Sequence, residues 1–195
     1  MAKAKPKQAP CEPPAITEYK EIFRAEHRDI RDALLALVDA FEKRNKRRIK
    51  SLLKTIAELS GPHFRYEEDA LYPALLQIYG KLYIEHMLVE HDKAIVSALR
   101  LEQIADKKGP LDDTDVKKAV HLVRGILPHV SDCEGLSIMV EVLPEGVSED
   151  ILKARERARK DNYDLLTWAT DVRERPFMVT YQRELYAALH EVPLS

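Results

Sequence analysis

A histidine and a glutamate stand four residues apart near the middle of the chain, where His63 is followed by Glu67. In a helix these side chains lie one turn apart on the same face, so an imidazole nitrogen and a carboxylate oxygen point to a common position. Both groups are ligands for divalent and trivalent cations. The spacing therefore indicates a metal site, although solvated pairs with the same spacing also arise by chance.

Three more histidines, His27, His91 and His129, each fill a step of three or four residues in a row of apolar side chains. Such rows are typical of the buried face of an amphipathic helix. One histidine in such a row is more often a hydrogen-bonded core residue than a ligand. Four of them together with carboxylates would cost several kcal/mol for each buried charge without compensation. A metal cluster removes that cost, which favours metal binding over a metal-free polar network.

Two segments of the chain are similar to each other. GPHFRYEEDAL and LPHVSDCEGLS each contain Pro-His and a glutamate five residues after the histidine, Glu68 and Glu134. The first segment also has Glu67 four residues after its histidine, where the second has Cys133. The pattern indicates two helical hairpins with approximate twofold symmetry around a metal site in a bundle core. Cys133 is more often explained as a small buried residue than as a redox-active group near the metal.

Helices must position all of these residues. Gly61 and Pro62 predict a kink that turns His63 inward. A fifth amphipathic helix and a short last helix are expected to pack outside the bundle and to carry no catalytic group. The periodicity and the capping signals predict helices over residues 16–45, 47–80, 81–107, 111–143, 149–172 and 184–190.

Composition limits the classes of function. The 195 residues are 45% apolar and carry 31 basic against 33 acidic side chains, so no basic field favours nucleic acid or anionic membranes. The two cysteines, Cys11 and Cys133, do not suggest a disulfide framework. Without a signal-peptide core or an apolar run of transmembrane length, we expect a cytoplasmic protein. The expected organisation is a disordered leader over 1–15, a bundle over 16–143 and a helical extension over 144–195.

The segments EHRDI, HFRYEEDALYP, MLVEHD and PHVSDCE resemble motifs of the hemerythrin-like family, also called the HHE cation-binding domain. The resemblance covers about residues 16–143. It implies an all-α fold, an up-and-down four-helix bundle with an extra C-terminal helical segment outside the resemblance. It also implies two non-haem iron ions bridged by two carboxylates, Glu67 and Glu134, and by an oxygen species. The implied terminal ligands are His27, His63, His91 and His129.

The sequence departs from the oxygen-carrying hemerythrins at one position. Those proteins have a fifth histidine one turn before the ligand in the third helix, where this chain has Met87. His86 is the nearest substitute, but it lies about 140° from His91 around a regular helix. The smaller set of histidines leaves one iron open to water, to a carboxylate such as Glu68 or Glu90, or to a small diatomic ligand.

The resemblance implies a di-iron protein that binds dioxygen or a related diatomic such as nitric oxide, as a carrier, sensor or scavenger. A second hypothesis is a di-iron redox enzyme acting on peroxide or nitric oxide, or an iron donor for cluster repair. A third is a helical interaction module without functional metal. Iron is the expected metal, ahead of manganese and zinc. The sequence identifies no protein partner and leaves open whether the chain is an enzyme.

Overall fold

The structure is a computed structural model that describes residues 14–144 and 146–174. This part of the chain is helical and contains no strand, which confirms the expected all-α class. None of the described helices is both long and apolar enough to cross a membrane. The long helices are α1 (Pro14–Glu42), α2 (Lys46–Tyr66), α3 (Tyr72–Asp106) and α4 (Asp113–Met139).

Short capped connections hold these helices side by side. Asn45 begins α2 by accepting a hydrogen bond from the Arg48 backbone at 3.0 Å, and Asp112 begins α4 in a capping box with Asp115. α1 packs against both α2 and α4, and α3 packs against α4 and α2. The four helices thus enclose a common interior, as expected for a hemerythrin-like helical bundle.

One irregular turn joins α2 to α3. α2 continues through Gly61 and Pro62, and the α-helical geometry changes only at a π-helical turn over Glu67–Leu71. α3 then changes direction at Gly80, whose φ of 77° favours glycine because a Cβ is strained there. The expected helix boundary at Gly80 is therefore a bend within α3.

The C-terminal extension packs directly on the bundle. α5 (Val147–Asp161) lies against α1 and α2, while α6 (Leu165–Thr167) continues as a π-helical turn over Trp168–Val172. The single helix expected over 149–172 is wrong, because the chain turns at Asn162 with a φ of 55° and Asp164 begins a new helix.

A close contact fixes this extension. A Cβ at Gly61 would lie 2.3 Å from the carbonyl oxygen of Tyr163, so only glycine lets the two backbones approach this closely. The expected short helix at 184–190 and residues 1–13 of the expected leader lie outside the described residues.

The apolar core is divided along the bundle. One cluster contains Ile30, Leu37 and Ile56, and another contains Phe23 and Met87. His27 lies between Phe23 and Ile30 on α1, so the polar residues of the interior fall between two apolar regions. The apolar side chains on both sides limit the access of water to these polar residues.

Candidate metal centre

Five of the seven ligand candidates from the sequence meet in the bundle interior. Each is at most 3% exposed. One comes from each of the four long helices and one from the π-helical turn, so the site exists only when the whole bundle is assembled. The five residues are His27, His63, Glu67, His91 and His129.

The first set of possible ligands consists of His27, His63 and Glu67, whose ligand atoms all lie within 4.8 Å of one another. Glu67 Oε1 is 3.1 Å from His63 Nε2 and 3.9 Å from His27 Nε2. His63 Nε2 has no hydrogen-bond partner in the described part of the chain, and its contact with Glu67 is an ion pair. A cation between these atoms would satisfy all three.

The second set consists of Glu67, His129 and Cys133, again with ligand atoms within 4.8 Å of one another. His91 lies beside it, with Nε2 3.0 Å from Glu67 Oε2. His129 Nδ1 is buried without a hydrogen-bond partner among residues 14–144 and 146–174. Glu67 belongs to both sets, which is the arrangement that a carboxylate bridging two cations requires.

The chemistry of these donors fits metal ions. A fully buried carboxylate and two imidazole nitrogens without hydrogen bonds are unfavourable in a protein interior unless another group compensates them. Imidazole and carboxylate donors together are suited to iron and to other first-row transition metals. The residues present therefore fit the metal that the resemblance implied.

Hydrogen bonds fix the orientation of the ligand rings. His27 Nδ1 lies 2.8 Å from the carbonyl oxygen of Phe23, so this nitrogen is the donor and Nε2 is free to face Glu67. Burial lowers the pKa of His27 to about 4, with a smaller contribution from the charge of His63. At neutral pH this ring is therefore neutral, which is the form that binds metal.

His63 is held from outside by Glu26. His63 Nδ1 is 2.9 Å from Glu26 Oε2, which also accepts a hydrogen bond from Tyr66 at 3.0 Å. Glu26 Oε1 accepts hydrogen bonds from Arg155 Nε at 2.8 Å and from Arg159 Nη1 at 3.0 Å. The α5 arginines thus contact the carboxylate that orients a ligand.

The pKa values of this pair move in opposite directions. Burial acts to raise the pKa of Glu26, but the hydrogen bond and charge of His63, with Arg155, lower it to about 2. Burial likewise acts to lower the pKa of His63, but the charges of Glu67 and Glu26 outweigh it and raise the pKa to about 9. Without metal, His63 is therefore an imidazolium between two carboxylates.

His91 is held in a similar way by Glu68. His91 Nδ1 is 2.7 Å from Glu68 Oε1, and Arg173 donates hydrogen bonds to both oxygens of Glu68, at 2.6 and 2.9 Å. Arg173 also donates to Asp92 at 2.7 Å. Phe64 stacks on the His91 ring, with 3.7 Å between ring centroids and 7° between planes. Packing and hydrogen bonds together fix this ligand.

The second set has two buried oxidisable groups, its own member Cys133 and the neighbouring Tyr72. The Tyr72 hydroxyl lies 3.0 Å from His91 Nε2 and 3.6 Å from Cys133 Sγ. Cys133 Sγ is 2.9 Å from Glu67 Oε1. Burial raises the pKa of the Cys133 thiol, and the charge of Glu67 raises it further.

His86 and Glu134 are not brought together with the other candidates. The His86 side chain is 54% exposed, with Nδ1 4.0 Å from Glu90 Oε1, while its neighbour Met87 is fully buried. Glu134 is half-buried and belongs to neither set of ligand atoms in the described residues. A role for either residue in metal binding remains a prediction.

Sequence reasoning offers Glu68 as a metal ligand rather than as the partner of His91, and it does not identify Glu26 or the arginines that hold these carboxylates. Glu26 directly precedes His27, but it stands one step off the apolar stripe and so reads as a solvated side chain. The arginines were assigned to an extension without a functional group. The sequence feature that could have pointed to these arginines is their separation by four positions, because it places Arg155 and Arg159 on one face of α5.

The sequence matches a known protein family. Residues 20–136, more than half of the chain, match the model of the hemerythrin HHE cation-binding domain. No curated protein and no solved structure gives a significant match. The matched region contains all five of the buried candidates that meet in the interior, and the match confirms the resemblance seen in the motifs. The chain belongs to the family of hemerythrin HHE cation-binding domains.

Proposed function

We propose that this chain is a non-haem di-iron protein that binds dioxygen or a related diatomic molecule. His27, His63 and Glu67 would hold one iron, and Glu67, His91 and His129 would hold the other, within an up-and-down arrangement of α1 to α4. The observation that carries the proposal is the presence of Glu67 in both sets of buried ligand atoms. His86 and Glu134 are not needed for it.

An apolar cavity supports a diatomic ligand. A space of about 40 Å³ borders His27, His63 and His129, and most of its remaining lining is aliphatic or aromatic, including Leu34 and Phe64. A cavity of this size has room for two or three atoms, and apolar cavities of this kind tend to stay free of water. A small uncharged gas fits such a space better than an organic substrate does.

The protein's contribution to ligand binding is to hold and protect the metal ligands. Two iron ions would supply the electrons that are exchanged with the diatomic molecule. Glu26 and Glu68 orient His63 and His91, and the surrounding apolar clusters exclude water. The Tyr72 hydroxyl, 3.5 Å from Glu67 Oε2, can hold a proton at the edge of the site.

A redox enzyme acting on peroxide or nitric oxide is the second candidate. It is favoured by Tyr72 and Cys133, two oxidisable side chains beside Glu67. A cleft of about 720 Å³ on the outer side of the bundle is lined by Tyr72, Glu68 and Arg173, so Tyr72 lies between this cleft and the centre. Turnover of peroxide or nitric oxide above the rate of free iron would select this candidate.

The first experiment is elemental analysis of the protein reconstituted with ferrous iron, followed by visible spectra with and without oxygen or nitric oxide. We expect about two irons per chain and a spectrum that changes reversibly with the gas. His63→Ala should lower the iron content, while His121→Ala, at an exposed histidine of α4, should not. Equal iron content in both variants, or no stoichiometric iron in the parent protein, would contradict the proposal.

A further inference from the structure

Cys133 occupies the position in α4 that Glu67 occupies after α2. Each stands four positions after the histidine of a Pro-His pair. One helical turn therefore separates His129 from Cys133, as it separates His63 from Glu67. Glu134 lies about 100° further around α4 and is half-buried, whereas Cys133 is fully buried.

The sulfur faces the centre. Cys133 Sγ lies 2.9 Å from Glu67 Oε1, and its distances to a Glu67 oxygen and a His129 nitrogen are within the span of a metal site. Zinc and iron both accept cysteine sulfur and imidazole nitrogen in the same coordination sphere. The geometry thus provides one sulfur, one oxygen and one nitrogen around one position.

Two buried polar atoms lack a hydrogen-bond partner in the described residues, one on His129 of this set and one on Tyr19, which belongs to the same apolar cluster as Cys133. His129 is 3% exposed, yet its Nδ1 has no hydrogen-bond partner within the described residues. The Tyr19 hydroxyl, 1% exposed, also has none in that part of the chain. A buried imidazole with an unpartnered nitrogen is unfavourable, and a cation bound by His129 would offset that cost.

We propose that Cys133 is a thiolate ligand of the second metal ion, together with Glu67, His91 and His129. This inference rests on the proposed function, because it assigns a ligand to the same centre. The thiol proton is released to the solvent when the sulfur binds the metal. The centre is then asymmetric, with nitrogen and oxygen donors around the first ion and an added sulfur donor on the second.

X-ray absorption at the metal edge tests the proposal on the full chain loaded with iron, and on a second sample loaded with cobalt. We expect one sulfur neighbour for every two metal ions, at a metal–sulfur distance of roughly 2.3 Å, as in other metal–thiolate sites. In the cobalt sample a thiolate-to-metal charge-transfer band is expected as well. Both signals should disappear in Cys133→Ser, whose side chain has nearly the same size.

Met87→Leu is the matched control, because it removes a different buried sulfur of the interior, from α3. It should retain the sulfur signal and the charge-transfer band. Two bound metals with only nitrogen and oxygen neighbours in the parent protein would overturn the assignment of Cys133 and leave the di-iron proposal intact. A parent protein without stoichiometric metal would overturn both. The X-ray absorption spectrum of the parent protein tests the proposal even if Cys133→Ser does not fold.

Discussion

On the His63 side and on the His91 side of the centre, a carboxylate that is held by arginine orients the histidine. On one side, His63 is bound by Glu26, which lies on α1 and is held by two arginines of α5. On the other, His91 is bound by Glu68, which lies next to Glu67 in the π-helical turn and is held by Arg173. The C-terminal extension therefore contributes arginine to both sides, but it supplies two arginines on the Glu26 side and one on the Glu68 side.

This difference shows where the centre is robust. The Glu26 side joins α1, α2 and α5, and loss of one arginine still leaves another within 3.0 Å. The Glu68 side depends on Arg173, whose side chain is 4% exposed and also binds Asp92. We expect variants of the second side to have the larger effects.

The largest effect is expected from Glu67→Ala, which removes the residue common to both sides. Both metal ions should be lost, because each set of ligands loses its shared carboxylate. His63→Ala and His129→Ala should each lower the metal content by about one ion per chain, the fraction that a two-ion centre implies. Elemental analysis after desalting measures all three. Retention of two ions in Glu67→Ala would show that the sides are not joined through this residue.

Arg173→Met and Arg155→Met compare the single arginine with a duplicated one. Loss of Arg173 removes the guanidinium that both Glu68 and Asp92 bind, and breaking a buried ion pair typically costs about 3–5 kcal/mol of the free energy of unfolding. Loss of Arg155 should cost about 1 kcal/mol, because Arg159 still binds Glu26. Chemical denaturation of the metal-free proteins measures both. Equal losses would contradict the proposed asymmetry.

Gly61→Ala tests whether the extension must sit against α2. The added methyl group would lie 2.3 Å from a backbone oxygen, so the segment around Tyr163 must move, at a cost of roughly 1–3 kcal/mol. Gly125→Ala is the control in α4, since nothing lies within 4 Å of its Cβ, and it should stabilise the helix by up to about 1 kcal/mol. Thermal unfolding compares them, and equal shifts would contradict the close contact.

A separate effect is a pH dependence of the metal-free protein. The pKa of His63 is raised from 6.5 to about 9, so its ion pairs stabilise the fold fully below pH 6.5 and are lost as the pH rises through about 9. We expect the free energy of unfolding to decrease over this range. In Glu26→Gln the decrease should be smaller, because one of the two carboxylates that raise the pKa is neutral.

Metal binding should remove this pH dependence in the loaded protein. A bound metal ion requires a neutral His63 side chain, so metal uptake below pH 9 releases a proton from His63. The affinity of the protein for metal therefore rises with pH. Unfolding curves of loaded and metal-free protein at pH 6.5 and 9.5 measure the difference. A metal-free protein with equal stability at both values would contradict the imidazolium assigned to His63.

The four histidines could be predicted from sequence because a helical period places them on apolar faces regardless of what those faces contact. The contacts of the extension could not, because Arg155 lies 129 residues from Glu26 and no local pattern connects them. The π-helical turn was also missed, since the residues EEDAL are compatible with an ordinary helix. In that turn the Tyr72 backbone N–H bonds the Glu67 carbonyl oxygen five residues back instead of four, which changes the register between α2 and α3.

The π-helical turn has a consequence for how this segment tolerates change. Removing one residue from it would rotate everything that follows by about 100° relative to α2. Tyr72 would then leave the interior, although no side chain had been altered. Asp69, which is exposed within the turn, should accept substitution but not deletion. At Asp69 the presence of a residue is therefore under stricter constraint than its identity, so natural variation in length here would mark a change of metal site.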